Sequence, residues 1–240
     1  MTELGEKIGI SMASAVVDEC PFEHSDEPHP KKNDLSNNSG TLADNLGPKD
    51  DTTVTFVVRG SERTVELGFA AHHLIPGGSI KHAAPLLKWM KKGSTVKGDV
   101  GYEQNDAANG VWLIATYRFP NWGAATKRSD DELQFAYAYE AMKEHGAQLH
   151  RWDGAHADYN AWVRRTLEKI RVKLLEQRAG CSICKQRKMP FPPPYKLVGM
   201  LHDLAARIGD KVTGPVSGWR PPLCTSTFAV RMGQKETPAK

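Results

Sequence analysis

The chain has 240 residues, 40% apolar and 25% charged, with a formal net charge of +4. That length and balance suit a globular core in one domain with appendages or two small domains. No run of eighteen apolar residues occurs, so no membrane-spanning helix is expected.

Charge is unevenly spread. Residues 1–51 are acidic by about seven charges and residues 156–240 are basic by about ten. A basic half suits a polyanion-binding surface, because neutralising phosphates releases counterions. Any single stretch, such as Arg164-Arg165 or Lys185-Gln186-Arg187-Lys188, reads equally well as a solvated helical face. Residues 1–10 carry Glu3 and Glu6 and lack an apolar segment, so a cleavable secretory signal is not expected.

Taken in order, residues 1–50 read as an acidic, mostly irregular segment, too poor in apolar residues to offset its ordering entropy. Such an arm suits docking to a carrier or chaperone. Within it, Cys20, His24 and His29 are possible metal ligands. Residues 52–59 and 61–67 are strand-like around Gly60, which predicts a hairpin. Next comes Phe69-Ala70-Ala71-His72-His73-Leu74-Ile75-Pro76-Gly77. On a strand, adjacent imidazoles face opposite sides, so one can hold a metal while the other takes a proton. The plainer reading is a polar pair at a strand end. Residues 80–92 show apolar residues at helical spacing, with Gly93 as the stop.

A polar loop over residues 99–109 leads to a short apolar strand over 111–115, expected to pair with the strand near His73. Residues 117–126 read as a loop. Ser129 and Glu132 have capping-box spacing for a helix that Gly146 can end. The longest helix starts near His156 and carries Val163, Leu167, Ile170 and Leu174 as a core-facing stripe. Gly180 closes it. Cys181 and Cys184 form a C-x-x-C with no second ligand pair after it, so free thiols are the default beside a structural metal or a disulfide. Pro-rich residues 190–194 are a stiff spacer, residues 195–208 an amphipathic helix ending at Gly209, and residues 210–240 irregular. The organisation expected is an N-terminal segment 1–50, a core 51–178 and a basic extension 179–240.

Three blocks then agree with one family. Ala71-His72-His73-Leu74-Ile75-Pro76 resembles the signature of the AHH nucleases, of the HNH/endonuclease VII (ββα-metal, His-Me finger) superfamily. Asn109-Gly110-Val111-Trp112-Leu113 resembles that family's Asn-Gly-apolar strand, and residues 149–163 resemble its His…His-x-x-Tyr-Asn helix start. The resemblance covers about residues 69–178. It implies an α+β fold, with a ββα-metal core wrapped by additional helices. It also implies a metal-dependent nuclease toxin, an antibacterial effector that cuts nucleic acid, DNA before RNA; the sequence shows no base-reading motif, so cleavage without sequence preference is expected. By the same resemblance His73 is the general base, Asn109 braces the loop opposite it, and His72 and His156 ligate a divalent cation.

His150 is a third candidate ligand. It lies six positions from His156, so it would have to reach the metal from outside the helix. Magnesium is the first candidate ion and zinc the alternative. Arg164, Arg165, Lys185, Arg187 and Lys188 are the candidate phosphate contacts. A toxin of this kind implies a cognate acidic immunity protein and no membrane partner. It also implies residence in the producing bacterium's cytoplasm before secretion and delivery into a target cell. The competing readings are a non-catalytic, zinc-stabilised nucleic-acid-binding module and an adaptor of a secretion apparatus.

Overall fold

The structure is a computed structural model and describes residues 20–22, 24, 31–119 and 131–235. Its elements in order are α1 (Ser39–Leu46), β1 (Thr53–Val58), β2 (Ser61–Glu66), β3 (Gly68–His73), α2 (Gly77–His82), α3 (Ala84–Met90), β4 (Gly110–Ala115) and α4 (Asp131–His145). Then follow α5 (Gly154–Gly180), α6 (Ser182–Gln186), α7 (Lys196–Val212) and α8 (Thr227–Lys235). The fold is α+β, with two small two-stranded sheets among the described residues, β1–β2 and β3–β4. No helix among the described residues is long and apolar enough to cross a membrane.

The chain divides into two compact units. One comprises Met1–Asn38, His73–Asn109 and Asn160–Arg207, the other Ser39–His72, Gly110–Tyr159 and Ile208–Lys240. In the second unit, β1 alternates exposed and buried residues, so Val54, Phe56 and Val58 share one face. They join a core with Tyr137, Ala141 and Met142 of α4 and Phe228 and Met232 of α8. Val58 pairs with Ser61, leaving Arg59 and Gly60 as a two-residue turn, both at positive φ (51° and 76°). That conformation matches the right-handed twist of the hairpin. In the first unit, the middle of α5 buries Val163, Leu167, Ile170 and Leu174. A separate apolar cluster gathers Phe22, Trp89, Val96, Cys184 and Phe191.

Several local expectations are corrected. The helix expected over residues 80–92 is two helices broken at Ala83, whose ψ is 53°. Pro85 has no N–H to continue the earlier turn and is tolerated in the first turn of the next helix. The buried side of α3 is Leu86, Trp89 and Met90, while Ala84 is exposed. Gly209 does not end α7, which runs on to Val212 with Ile208 and Val212 both buried one turn apart. The cost of glycine in a helix, about 1 kcal/mol, is offset by that burial. Residues 210–240 are not wholly irregular: α8 buries Phe228, Ala229 and Met232, and the Ser226 hydroxyl accepts from the Ala229 N–H at 3.2 Å. Within the stretch before residue 50, α1 is helical and fully buries Leu42. Ser129, and with it the proposed capping box, lies outside the described residues.

Gly110 opens β4 beneath α1. A Cβ there would meet Leu42 Cδ1 at 2.5 Å and Leu42 Cγ at 3.1 Å. Gly110→Ala is therefore expected to destabilise the protein by about 1–3 kcal/mol through overpacking. A urea midpoint equal to the parent's would contradict that close approach.

Candidate active site

Two groups of candidate residues, one in each unit, come from β3, the loop before β4, and the start of α5. His72 and His73 are consecutive on β3 and are 4% and 7% exposed. Each has a different set of neighbours.

His73 belongs to the first unit. Its Nε2 lies 2.9 Å from Asn105 Oδ1. The Asn105 amide is itself anchored: Oδ1 accepts from the Asn38 N–H at 3.1 Å, and Nδ2 donates to Ser36 Oγ at 2.9 Å. An oxygen therefore faces the imidazole, so Nε2 must carry the proton. In the neutral ring this leaves Nδ1 as the free lone pair. Burial holds His73 below the ordinary imidazole value, with the Asn105 hydrogen bond acting in the opposite sense. The ring is thus neutral at pH 7 and able to accept a proton.

Asn109 is fully buried at the end of the same loop. Its Oδ1 accepts from the Ile75 N–H at 2.8 Å, and its Nδ2 donates to the Gln104 carbonyl at 2.8 Å and the Ile75 carbonyl at 3.2 Å. The Leu74 N–H also donates to the Asn109 carbonyl at 2.8 Å. One amide thus ties the backbone just after His73 to the backbone just before Asn105. Asn109→Ala would take this partner from the buried Ile75 N–H and Gln104 carbonyl, while the Ile75 carbonyl keeps the Gln104 side-chain amide, and is expected to cost about 2 kcal/mol. Chemical denaturation measures this; a cost under about 0.5 kcal/mol would show that water replaces the amide.

Residues 33–38 complete this corner. Gln104 N–H donates to the Asp34 carbonyl at 2.7 Å, and Asp34 N–H to the Tyr102 carbonyl at 3.0 Å. Part of the acidic N-terminal stretch therefore supports the loop that orients His73. Asn105 and Ser36 carried no signal in the sequence, because loop asparagines and serines are common and this pairing spans 69 positions.

His72, His150 and His156 lie together in the second unit, with one ring nitrogen of each within 4.8 Å of the others. The imidazole centroids are 4.9 Å apart for His72–His150, 5.6 Å for His72–His156 and 5.1 Å for His150–His156. His150 reaches the cluster from extended chain ahead of α5, its N–H donating to the Ile114 carbonyl of β4 at 2.7 Å. His156 sits in the first turn of α5. Asp153 caps that turn, its Oδ1 accepting from the Ala155 N–H at 3.0 Å. Its other oxygen accepts from the N–H and hydroxyl of Thr227 at 2.9 and 3.0 Å.

Tyr159, fully buried, packs its ring against both His72 and His156. Trp152 lays its ring 4.7 Å from that of His156 yet is 79% exposed.

The three imidazoles fit a cation. His150 Nε2 and His156 Nε2 are 3.2 Å apart. Two nitrogens at zinc-like bond lengths, in tetrahedral arrangement, would be roughly 3.3 Å apart. Burial lowers the His150 pKa, and burial together with the neighbouring His150 lowers that of His156 to about 4, against an opposing effect of Asp153. Both rings are neutral at pH 7 and need not lose a proton to ligate.

Arg164 and Arg165 are exposed on α5, and Lys185 and Lys188 are exposed on and just after α6. Arg187 is half-buried and donates to the His24 carbonyl. All five belong to the first unit.

Two paired strands followed by a helix whose first turn joins three clustered imidazoles form the ββα core of HNH/endonuclease VII nucleases. A family model described as a nuclease family of the HNH/ENDO VII superfamily with conserved AHH matches residues 56–189, and the chain belongs to that family. Nucleases of this superfamily use divalent metals and act on nucleic acid. Comparison with curated proteins and with solved structures finds no match.

Proposed function

We infer that this protein is a metal-dependent endonuclease that hydrolyses phosphodiester bonds, with DNA as the first candidate substrate. The observation that carries this reading is the division of labour at His72–His73. One imidazole joins a three-histidine cluster, and the next is held neutral with its Nδ1 lone pair available.

In this mechanism His73 Nδ1 accepts a proton from the attacking water while Asn105 holds Nε2–H and so fixes the ring. Asn109 keeps the loop that carries Asn105 in place. His72, His150 and His156 would hold a divalent cation through neutral nitrogens. A bound divalent cation would stabilise the charge that builds on the phosphate and on the leaving oxygen. All three donors are imidazoles and none is a carboxylate, which favours a transition ion such as zinc over magnesium.

Within this reading the nuclease is a toxin delivered into a competitor cell and silenced at home by an acidic immunity protein, since complementary charge speeds encounter with a basic surface. Cytoplasmic expression of the parent chain alone should then halt growth, and His73→Ala should be tolerated. Equal tolerance of both would remove the toxin role.

The basic positions contribute affinity. Replacing Arg164, Arg165, Lys185 and Lys188 together by Ala should flatten the dependence of log affinity on log salt by about three to four units if all four contact phosphate. Arg187 is left in place because it holds the His24 carbonyl. An unchanged slope returns these side chains to a solvated-face role.

The test of the whole reading is supercoiled plasmid incubated with purified protein, with and without chelator. Nicking that stops with chelator and returns with a divalent ion supports the nuclease. Binding without cleavage under all ions favours a nucleic-acid-binding module, and neither binding nor cleavage favours an adaptor.

A further inference from the structure

The three-histidine cluster leaves a second group of metal-ligating side chains unexplained. Cys20, His24, Cys181 and Cys184 place one donor atom each within 4.8 Å of the others. Cys20 Sγ is 3.5 Å from Cys184 Sγ, and His24 Nε2 is 3.3 Å from Cys181 Sγ and 3.5 Å from Cys184 Sγ. All four belong to the first unit. We propose that these residues form a Cys3His zinc site, structural in role and separate in chemistry from the histidine cluster.

The geometry argues for it. Around a tetrahedral zinc, sulfurs lie roughly 3.8 Å apart and a sulfur and a nitrogen about 3.6 Å apart. The observed separations are within a few tenths of an ångström of those values. A Cys20–Cys184 disulfide needs its sulfurs at about 2.05 Å and leaves His24 without a role. The ligand spacing also fits, Cys-x3-His on one side and Cys-x2-Cys on the other. Three thiolates select zinc over magnesium or manganese.

The surroundings fit a closed site. Backbone hydrogen bonds from Cys184 and Ile183 favour the thiolate of Cys181, whereas burial pushes the Cys20 thiol up, with the Phe22 backbone hydrogen bond acting in the opposite sense. Burial, and then the neighbouring thiols, push Cys184 up to about 12, a condition a bound dication reverses. Arg187 holds the His24 carbonyl, and its charge offsets the net negative charge of three thiolates on one dication.

Phe22, between the two upstream ligands, is 3% exposed and meets Trp89 and Phe191 at 5.3 and 5.4 Å between ring centroids. Zinc and Phe22 together would clamp the upstream ligand loop onto the end of α5 and onto α6. Binding would release protons from the thiols and make the stability of this corner depend on zinc.

Cobalt(II) tests this on the full chain, purified under reducing conditions and stripped of metal. Cobalt should give an intense thiolate charge-transfer band, and one equivalent of zinc should abolish that band. Histidine ligands alone give no thiolate band, so His156→Ala should leave the signal intact and Cys181→Ser with Cys184→Ser should abolish it. Zinc should also shield Cys20 and Cys181, the two half-exposed thiols, from alkylation in the native parent chain, a readout that does not depend on a variant folding. The proposal is overturned if cobalt gives no thiolate band in the parent chain. It is equally overturned if zinc leaves alkylation unchanged, or if Cys20 and Cys184 are recovered as a disulfide from reduced, zinc-loaded protein.

Discussion

His73→Ala is expected to reduce cleavage by at least about 10²-fold, the usual scale for a positioned acid–base group. The ring is 7% exposed, and its Nε2–H donates to Asn105 Oδ1 at 2.9 Å. Removing it also takes the imidazole donor away from the Asn105 carbonyl oxygen, which keeps the Asn38 N–H, so some stability should be lost. Metal content should be unchanged, because the ligand cluster is His72, His150 and His156. Parent-like metal content with cleavage abolished identifies a proton acceptor. Cleavage at the parent rate by a folded variant would remove His73 from the chemistry. Asn105→Ala should act in the same direction but more weakly, about 10–100-fold, since it frees the ring without deleting it. If Asn105→Ala cleaves as well as the parent, the loop carbonyl is not what orients the base.

Loss of a cluster histidine is expected to be as severe and to differ in kind. His72→Ala and His156→Ala each remove one of three nitrogens that lie within 4.8 Å of one another. Metal affinity should fall by at least about 10²-fold, more than the effect of losing an outer partner. Cleavage should fall with it, and raising the metal concentration should recover part of the activity, which it cannot do for His73→Ala. Calorimetric titration of metal into both variants decides this. Unchanged affinity in both would show that the imidazoles meet for packing alone, against Tyr159. His150→Ala asks whether the third nitrogen matters, and the 3.2 Å separation from His156 predicts that it does.

Much of the architecture was legible in the chain because it is governed by local periodicity. The hairpin around Gly60 follows from β-branched residues flanking a turn glycine. The stripe at Val163, Leu167, Ile170 and Leu174 is buried as its spacing implies, because a helix presents those positions on one side whatever surrounds it. Family membership was legible for a different reason. The family model's conserved Ala-His-His is the contiguous triplet Ala71-His72-His73, a local feature of the chain. Local rules failed where a signal competed with tertiary packing. Gly209 reads as a helix stop but is overridden by burial on both sides of it, and α8 is too short to be stable except against its neighbours.

The residue types at the candidate site were fixed by the sequence, but their partners were decided by the fold. Nothing local links Asn105 to Ser36 and His73, and the orientation of its amide, which sets the tautomer of His73, depends on both neighbours. His150 is too far along the chain from His156 to share a helix face, and only the course of the extended chain beside β4 turns its ring toward the cluster. The C-x-x-C has no second ligand pair after it. Its partners lie upstream, with 157 positions between His24 and Cys181 and 164 between Cys20 and Cys184. Coordination needs donor atoms a few ångströms apart in space and is indifferent to their distance along the chain, so sequence spacing can register half of such a site and only tertiary structure can supply the other half.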